Sequence, residues 1–308
     1  MKAFLIDRYA KGAALRLGEV PEPELRENDV LVQIHASGVN VLDNKIRDGE
    51  FKLVLPYRLP LILGNDVAGV VVQVGSKVQR FKPGDDVYAR PAKDRIGTFA
   101  EFIAMNEADV AMKPKNLTME EAASVPLVAL TAWQVLVERA NLKKGQKVLI
   151  HAGSGGVGTI AIQLAKHIGA RVITTASANN HDYVRMLGAS RAIDYNKEDF
   201  TAAAAGCDVV FDTVGGEVQM KSYAVLRPGG RLVWIAPAPA GSTPPRKDVE
   251  VLRPRVARDR AHLERMLELL EAGAVRPPAI TEYKLADAAE AHRVSEGRHL
   301  QGKLVLMV

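Results

Sequence analysis

Up to about residue 122 the apolar positions fall in short β patterns broken by Gly and Pro. Residues 30–35, 68–74 and 86–89 read as strands, with turns at Lys82-Pro-Gly-Asp85 and Gly75-Ser76, where Gly and Pro supply the angles that reverse a chain. This spacing predicts a compact β barrel or sandwich. From Ser124 the pattern changes. A helix over 131–139 leads to a strand over 147–151, a helix over 159–169 and a strand over 171–175. In the second helix Ile160, Leu164 and Ile168 share one face. A helix over 182–187, strands over 191–194 and 208–212, a helix over 218–226 and a strand over 231–236 follow. Strands alternating with helices predict a doubly wound parallel sheet.

The Pro/Gly-rich stretch 236–245 reads as a surface loop, and 249–256 as a strand that Pro254 demotes to an edge or a bulge. A helix over 261–272 ends at Gly273, and a last strand over 303–308 is expected to return to the first domain. The chain is thus α/β in class, with one domain over 1–123 and 262–308 and the other over 124–261. A length of 308 residues suits two cores rather than one.

Composition narrows the function classes. No apolar run approaches the roughly 20 residues that span a bilayer, and the N-terminal Met1-Lys-Ala-Phe-Leu-Ile-Asp enters a strand pattern without signal-peptide architecture. Cys207 is the one cysteine, so an internal disulfide and a cysteine-based zinc cluster are both excluded and a reducing cytoplasm is expected. The net charge is +5, but basic residues are scattered apart from Arg246–Lys247 and Arg253, Arg255, Arg258 and Arg260. With aromatics at 5% there is no interleaved stacking surface, so a nucleic-acid partner is not expected. A phosphorylated cofactor is a simpler use for positive potential.

The chemistry concentrates at residues 148–158, Val-Leu-Ile-His-Ala-Gly-Ser-Gly-Gly-Val-Gly. Gly153, Gly155, Gly156 and Gly158, with Ser154 and Val157 between them, make a variant G-x-G-G-x-G in the strand–turn–helix context of a dinucleotide-binding fingerprint. Small residues let the backbone approach a pyrophosphate, and helix N–H groups take up its charge. The acidic residue that would hold the ribose 2′-hydroxyl of NAD is missing from Thr174-Thr-Ala-Ser-Ala-Asn-Asn180. Ser177 and Asn180 can instead donate to a 2′-phosphate, which favours NADPH; the alternative is that they are turn formers. His151 reads as structural, and His35, His167, His262 and His299 lack ligand spacing. Gly153-Ser154-Gly155 lacks the spacing of a hydrolase nucleophile elbow.

In order and spacing, Ser37-Gly-Val-Asn-Val-Leu-Asp43, Gly64-Asn-Asp-Val-Ala-Gly69, Pro83-Gly-Asp85, Gly97-Thr-Phe-Ala-Glu101, the glycine loop, Leu187-Gly-Ala189 and Gly302-Lys-Leu-Val305 resemble the medium-chain dehydrogenase/reductase superfamily. Within it the chain looks like the zinc-independent quinone oxidoreductases and the enone (alkenal) reductases. The resemblance implies a GroES-like catalytic domain with a Rossmann NADP-binding domain inserted. Zinc-dependent members carry Cys at the position of Asn40, Gly-His-Glu where this chain has Gly64-Asn65-Asp66, and a third ligand near Leu127; none of these is present.

A metal-free hydride acceptor is most naturally conjugated: a quinone, or an α,β-unsaturated ketone or aldehyde whose carbonyl oxygen takes up charge. The resemblance places Asn40 against the nicotinamide ribose or the substrate, with a turn-stabilising Asn as the alternative, and Asp43 as an orienter of neighbours such as Arg47. Enone-reductase-like members carry Lys where this chain has Lys45, which makes it a candidate stabiliser of the enolate; an ordinary exposed lysine is the competing reading. Thr131 matches a threonine that touches the nicotinamide, or else caps a helix. Tyr195 is expected beside the 2′-phosphate, and Val214 and Ala236 beside the nicotinamide. The expected protein is a cytoplasmic NADPH-dependent reductase of small-molecule quinones or enones, without membrane contact, and a homodimer through the strand near 249–256. The alternative is a non-catalytic, crystallin-like or nucleotide-binding regulatory member of the same fold.

Overall fold

A computed structural model describes residues 1–254, 257–297 and 299–308. The chain divides into two units: Met1–Leu127, Ala257–Glu271 and Pro277–Val308 form one, Val128–Val256 and Ala272–Arg276 the other.

The first unit is GroES-like and built around the strand Asp29–Val39, which pairs antiparallel with Val67–Val74, Phe102–Asn106 and Lys303–Met307. The sheet extends through Asp86–Ala89 and Val110–Met112 on one side, and through Ile280–Lys284 on the other. Arg16–Glu19, Lys2–Ile6 and Leu61–Ile62 form a separate small sheet. In the central strand only Gln33 and His35 face solvent, so both faces are covered and its sequence reads as a near-continuous apolar run. The returning strand follows from the same logic. Lys303–Met307 is apolar after its first residue and all but its last residue are buried.

The second unit is a Rossmann domain: a six-stranded, wholly parallel sheet in the order Arg191–Asp194, Arg171–Ala176, Lys147–Ile150, Cys207–Asp212, Leu226–Trp234, Glu250–Leu252. Counted along the chain this is 3-2-1-4-5-6, the doubly wound order in which ligands bind at the carboxyl ends of the strands. Leu149, Ile173, Val210 and Leu232 lie in its core.

Several element limits differ from the sequence expectation. The helix after the glycines begins at Gly156 rather than Thr159, because the glycines themselves adopt its first turn. The helix Pro126–Trp133 continues as a π-helix over Gln134–Arg139. The expected helix over 218–226 is instead a helix Gly216–Ser222 and a 3-10 turn Tyr223–Val225; Leu226 opens the next strand, which runs through Pro228-Gly229-Gly230. Of the strand expected over 249–256, Glu250–Leu252 is the sheet edge; residues 255 and 256 lie outside the described residues.

Two buried histidines make stability depend on pH. His151 lies among Thr175, Ser222 and Phe200; His292 packs edge-on against Phe99 with neither ring nitrogen hydrogen-bonded among the described residues. Burial pushes both imidazoles down to about 3. Unfolding therefore takes up protons below about pH 6.5, and each histidine removes about 1.4 kcal/mol of stability per pH unit as pH falls from there. Asp43, raised to about 6 by burial, acts in the opposite sense, contributing stability at low pH that is lost as pH rises through 6. Replacing His292→Leu is expected to raise stability at pH 7 by about 1 kcal/mol, since an unpaired polar ring leaves the core, and to flatten the acid limb. Urea unfolding at pH 7 and 5 checks both; an unchanged slope would show that His292 is protonated in the folded chain.

Candidate functional site

The nucleotide-binding features gather at the carboxyl edge of the parallel sheet. Gly153 N–H donates to Thr175 O at 2.9 Å and Gly155 N–H to Ala152 O at 3.2 Å, folding the loop into a tight turn before the helix Gly156–Ile168. At Gly158 a Cβ would collide with Ala152 O and with the backbone of Gly153, and at Gly153 with Thr174 Oγ1. Gly155 is different: its Cβ would meet only Ala152 O, at an ordinary 3.6 Å. The loop is thus packed tight on its protein side and open at Gly155, with the N-terminus of a 13-residue helix behind it. This arrangement fits a pyrophosphate.

The residues read as selecting the ribose phosphate also meet. Asn180 Nδ2 donates to Ser154 Oγ at 3.2 Å and to Ser177 Oγ at 3.1 Å, tying the glycine loop to the end of the strand Arg171–Ala176. No carboxylate occurs in 174–181. Ala176 pairs with Asp194, so Ser177 and the half-exposed Tyr195 leave neighbouring strand ends together. Farther along the edge, buried Asp212 accepts from Val214 N at 2.9 Å and Gly215 N at 3.0 Å, which shapes the loop that leaves Val214 exposed. Gly215 lies against Ala236, with no room for a Cβ. Thr131 is buried inside the helix Pro126–Trp133, so it is not a cap.

In the first unit the candidate residues converge on a buried polar network. Asn40 terminates the central strand and starts the helix Val41–Arg47. Its backbone N–H donates to Asp43 Oδ2 at 2.8 Å, and its Nδ2 donates to Asp66 Oδ2 at 2.9 Å. Lys303 Nζ donates to Asn40 Oδ1 at 2.6 Å, to Val39 O at 2.9 Å and to Asp66 Oδ2 at 3.2 Å. Asp66 Oδ1 accepts from Leu127 N at 2.8 Å, and Asp43 Oδ1 from Asn65 Nδ2 at 2.7 Å. The side chain of Asn40 therefore ties distant elements together, with one local bond to Gly38 O. Burial raises Asp43 to about 6 against the pull of Asn65, the Asn40 N–H and Lys303, and burial lowers Lys303.

One expectation needs correction. Asp43 does not orient Arg47: its carboxylate oxygens accept from the Asn40 N–H and from Asn65 Nδ2, while Arg47 pairs with Asp48 at 2.7 Å and with Glu296. Lys45 stands apart from the network, its Nζ 3.6 Å from Glu50 Oε2. The cation inside the network is Lys303, which sequence reasoning missed along with Asp66. The signal was a charged residue opening an otherwise apolar strand, Lys303-Leu-Val-Leu-Met-Val.

The positions that carry zinc ligands in related dehydrogenases do come together, but as amides, a carboxylate and a main-chain N–H closed around an ammonium group. Zinc prefers imidazole and thiolate donors, and the single carboxylate, Asp66, already accepts from Lys303, Asn40 and Leu127. The donor set does not fit the metal.

Two family models match: the alcohol dehydrogenase GroES-like domain over residues 26–115 and the zinc-binding dehydrogenase over 187–306. The chain is 36% identical, over 99% of its length and 79% of the relative's, to the NADPH-dependent alkenal/one oxidoreductase, chloroplastic, of Arabidopsis thaliana. It is similar in structure to the quinone oxidoreductase of Coxiella burnetii, with TM-score 0.90 and 34% identity over 100% of this chain and 99% of that one. The Escherichia coli quinone oxidoreductase complexed with NADPH matches at TM-score 0.91 and 28% identity over 100% of both chains. With both domain models, the near-complete coverage and this fold, the chain belongs to the medium-chain dehydrogenase/reductase superfamily, in its quinone oxidoreductase group.

Proposed function

We propose that this chain is an NADPH-dependent oxidoreductase that reduces quinones or α,β-unsaturated ketones and aldehydes without zinc. The observation that carries the reading is the buried network in which Lys303, Asn40 and Asp66 close upon one another at the ligand positions. At a site whose donor set does not fit zinc, a conjugated acceptor, which spreads the incoming charge onto its own carbonyl oxygen, is the natural partner for the hydride. NADPH supplies the hydride when bound. The glycine loop 153–158 holds its pyrophosphate; Ser177, Asn180 and Tyr195 take the 2′-phosphate; Thr131, Val214 and Ala236 border the nicotinamide.

On the acceptor side, Asn40 is held rigid by its bonds to Asp66 and Lys303, and Asp43 fixes the start of its helix through the Asn40 N–H. Lys45, on the same helix and a quarter exposed, supplies an ammonium group to the oxygen that becomes an enolate. Its pairing with Glu50 is loose at 3.6 Å, and surface pairs of this kind hold a side chain by less than about 1 kcal/mol, so the ammonium is free to swing to a substrate. Lys45→Met is expected to lower kcat about 10²-fold, the cost of losing one oxyanion donor, with little change in NADPH affinity. An unchanged kcat removes Lys45 from the mechanism.

A panel of quinones and enones followed by NADPH absorbance tests the function. Oxidation of NADPH is expected with at least one class, and a lower KM for NADPH than for NADH under identical conditions. A lower KM for NADH overturns the cofactor assignment; tight NADPH binding without oxidation across the panel overturns the enzyme reading. We place the protein in the cytoplasm on the strength of its lone, buried Cys207. The edge strand Glu250–Leu252, paired on one side only among the described residues, is the natural contact for a homodimer.

A further inference from the structure

Arg90 is a buried guanidinium with two donors unused among the described residues. Its side chain is 5% exposed, and Nε and Nη1 have no hydrogen-bond partner among the described residues. Unpaired buried donors are rare because each costs its full desolvation, and a charged group costs more. The carboxylates within electrostatic reach are Asp66 and Asp43. All four of their oxygens accept from Asn40, Lys303, Leu127 and Asn65 instead.

Arg258 adds a second cation beside it. Its Nη1 donates to Pro91 O at 2.8 Å and to Asn65 Oδ1 at 3.1 Å, and its charge bears directly on Arg90. Asn65 is therefore shared: its oxygen holds Arg258 and its amide nitrogen holds Asp43. Around the candidate acceptor site, Arg90, Arg258 and Lys303 stand among Asp43 and Asp66, with Asp109 also within electrostatic reach of Arg258. The donors of Arg90 are what the site leaves unused among the described residues.

We propose that Arg90 and Arg258 form a subsite for a carboxylate carried by the substrate, so that the preferred acceptor is an oxo-enoic acid rather than a neutral enone. A planar monoanion gives the Arg90 guanidinium the acceptor it lacks; a phosphate dianion would crowd Asp43 and Asp66 with like charge. Guanidinium–carboxylate bonds are charge-assisted and directional, which gives the subsite both affinity and register. The inference rests on the reading of the chain as an enone reductase.

The test compares trans-4-oxo-2-pentenoic acid with its methyl ester. For the native enzyme kcat/KM is expected to favour the acid at least 10-fold, and Arg90→Met to lower the acid-to-ester ratio about 30-fold, the loss of one charge-assisted bond. Arg90→Lys, which keeps the charge, restores part of that ratio. An ester used as well as the acid overturns the subsite, and so does an Arg90→Met variant that loses both substrates equally, since the arginine would then serve the shared carbonyl. If neither compound is reduced, the enone reading has failed, and calorimetry with the saturated 4-oxopentanoate and its methyl ester on the NADP⁺-loaded protein decides the subsite by itself. Tighter binding of the acid supports it, and equal binding overturns it. Should Arg90→Met fail to fold, the native acid-to-ester ratio and the Lys variant decide the same question.

Discussion

Gly158→Val is expected to abolish NADPH binding. The Cβ of any residue at 158 would run into Ala152 O and the Cα and carbonyl carbon of Gly153, all of them backbone. Backbone cannot swing aside as a flexible side chain can, and Ala152 already sits at φ +53, in the left-handed region, where non-glycine residues carry strain. The clash must therefore push the loop away from the helix Gly156–Ile168 or shift the helix itself. Overpacking of this kind costs about 1–3 kcal/mol or more, and the displaced loop loses the N–H groups that face a pyrophosphate. Loss of at least about 10²-fold in NADPH affinity is expected, read by the change in nicotinamide fluorescence on binding. Gly155→Ala is the comparison for folding, because its Cβ meets only one atom, at ordinary contact distance; its thermal midpoint is expected to stay near that of the native chain. Native affinity in Gly158→Val would show that the loop does not hold the cofactor.

Lys303→Met is expected to be the most damaging substitution in the first unit. It removes the donor to Asn40 Oδ1 and Val39 O and leaves Asp66 without its cation. Breaking a buried pair by deleting one partner typically costs about 3–5 kcal/mol, because the other charge stays buried and uncompensated. Asp66→Asn alongside Lys303→Met removes that stranded charge, so the double variant is expected to be more stable than Lys303→Met alone. The coupling is read from a double-mutant cycle in urea. Loss of Lys303 also removes a positive charge that holds Asp43 down, so the proton on Asp43 is retained to a pH above 6 in the variant. Additive effects of the two substitutions would show that Lys303 and Asp66 do not form a working pair.

Much of the fold was legible because it is written in local pattern. The alternation of apolar runs and helical stripes after Ser124 marks the parallel sheet, and the glycines mark the turn between its first strand and helix. Local pattern failed where one segment changes geometry without changing its polarity. Leu226-Arg-Pro-Gly-Gly-Arg231 joins a strand despite its Pro and glycines, and Gln134–Arg139 winds wider than an α-helix although its sequence looks ordinary. The candidate site was half legible. Asn40, Asp43, Ser177 and Asn180 sit in local motifs that announce themselves. Lys303 is 237 residues from Asp66 and 263 from Asn40, and only the antiparallel pairing of Lys303–Met307 with Asp29–Val39 brings them together. A lysine at the mouth of an apolar strand looks the same in sequence whether its ammonium group is buried or solvated. Lys45 drew a role through its motif and lies outside the network; Lys303 was quoted only as part of a motif, with no role, and lies at its centre.

The claim that hydride goes to a conjugated carbon is tested most directly by isotope transfer. The enzyme is incubated with NADPH deuterated at the reactive C4 position and an α,β-unsaturated ketone, and the product is examined by NMR. The expected product is a saturated ketone with deuterium at the β carbon and a solvent-derived proton at the α carbon. Deuterium at the carbonyl carbon, in an allylic alcohol, would contradict that claim.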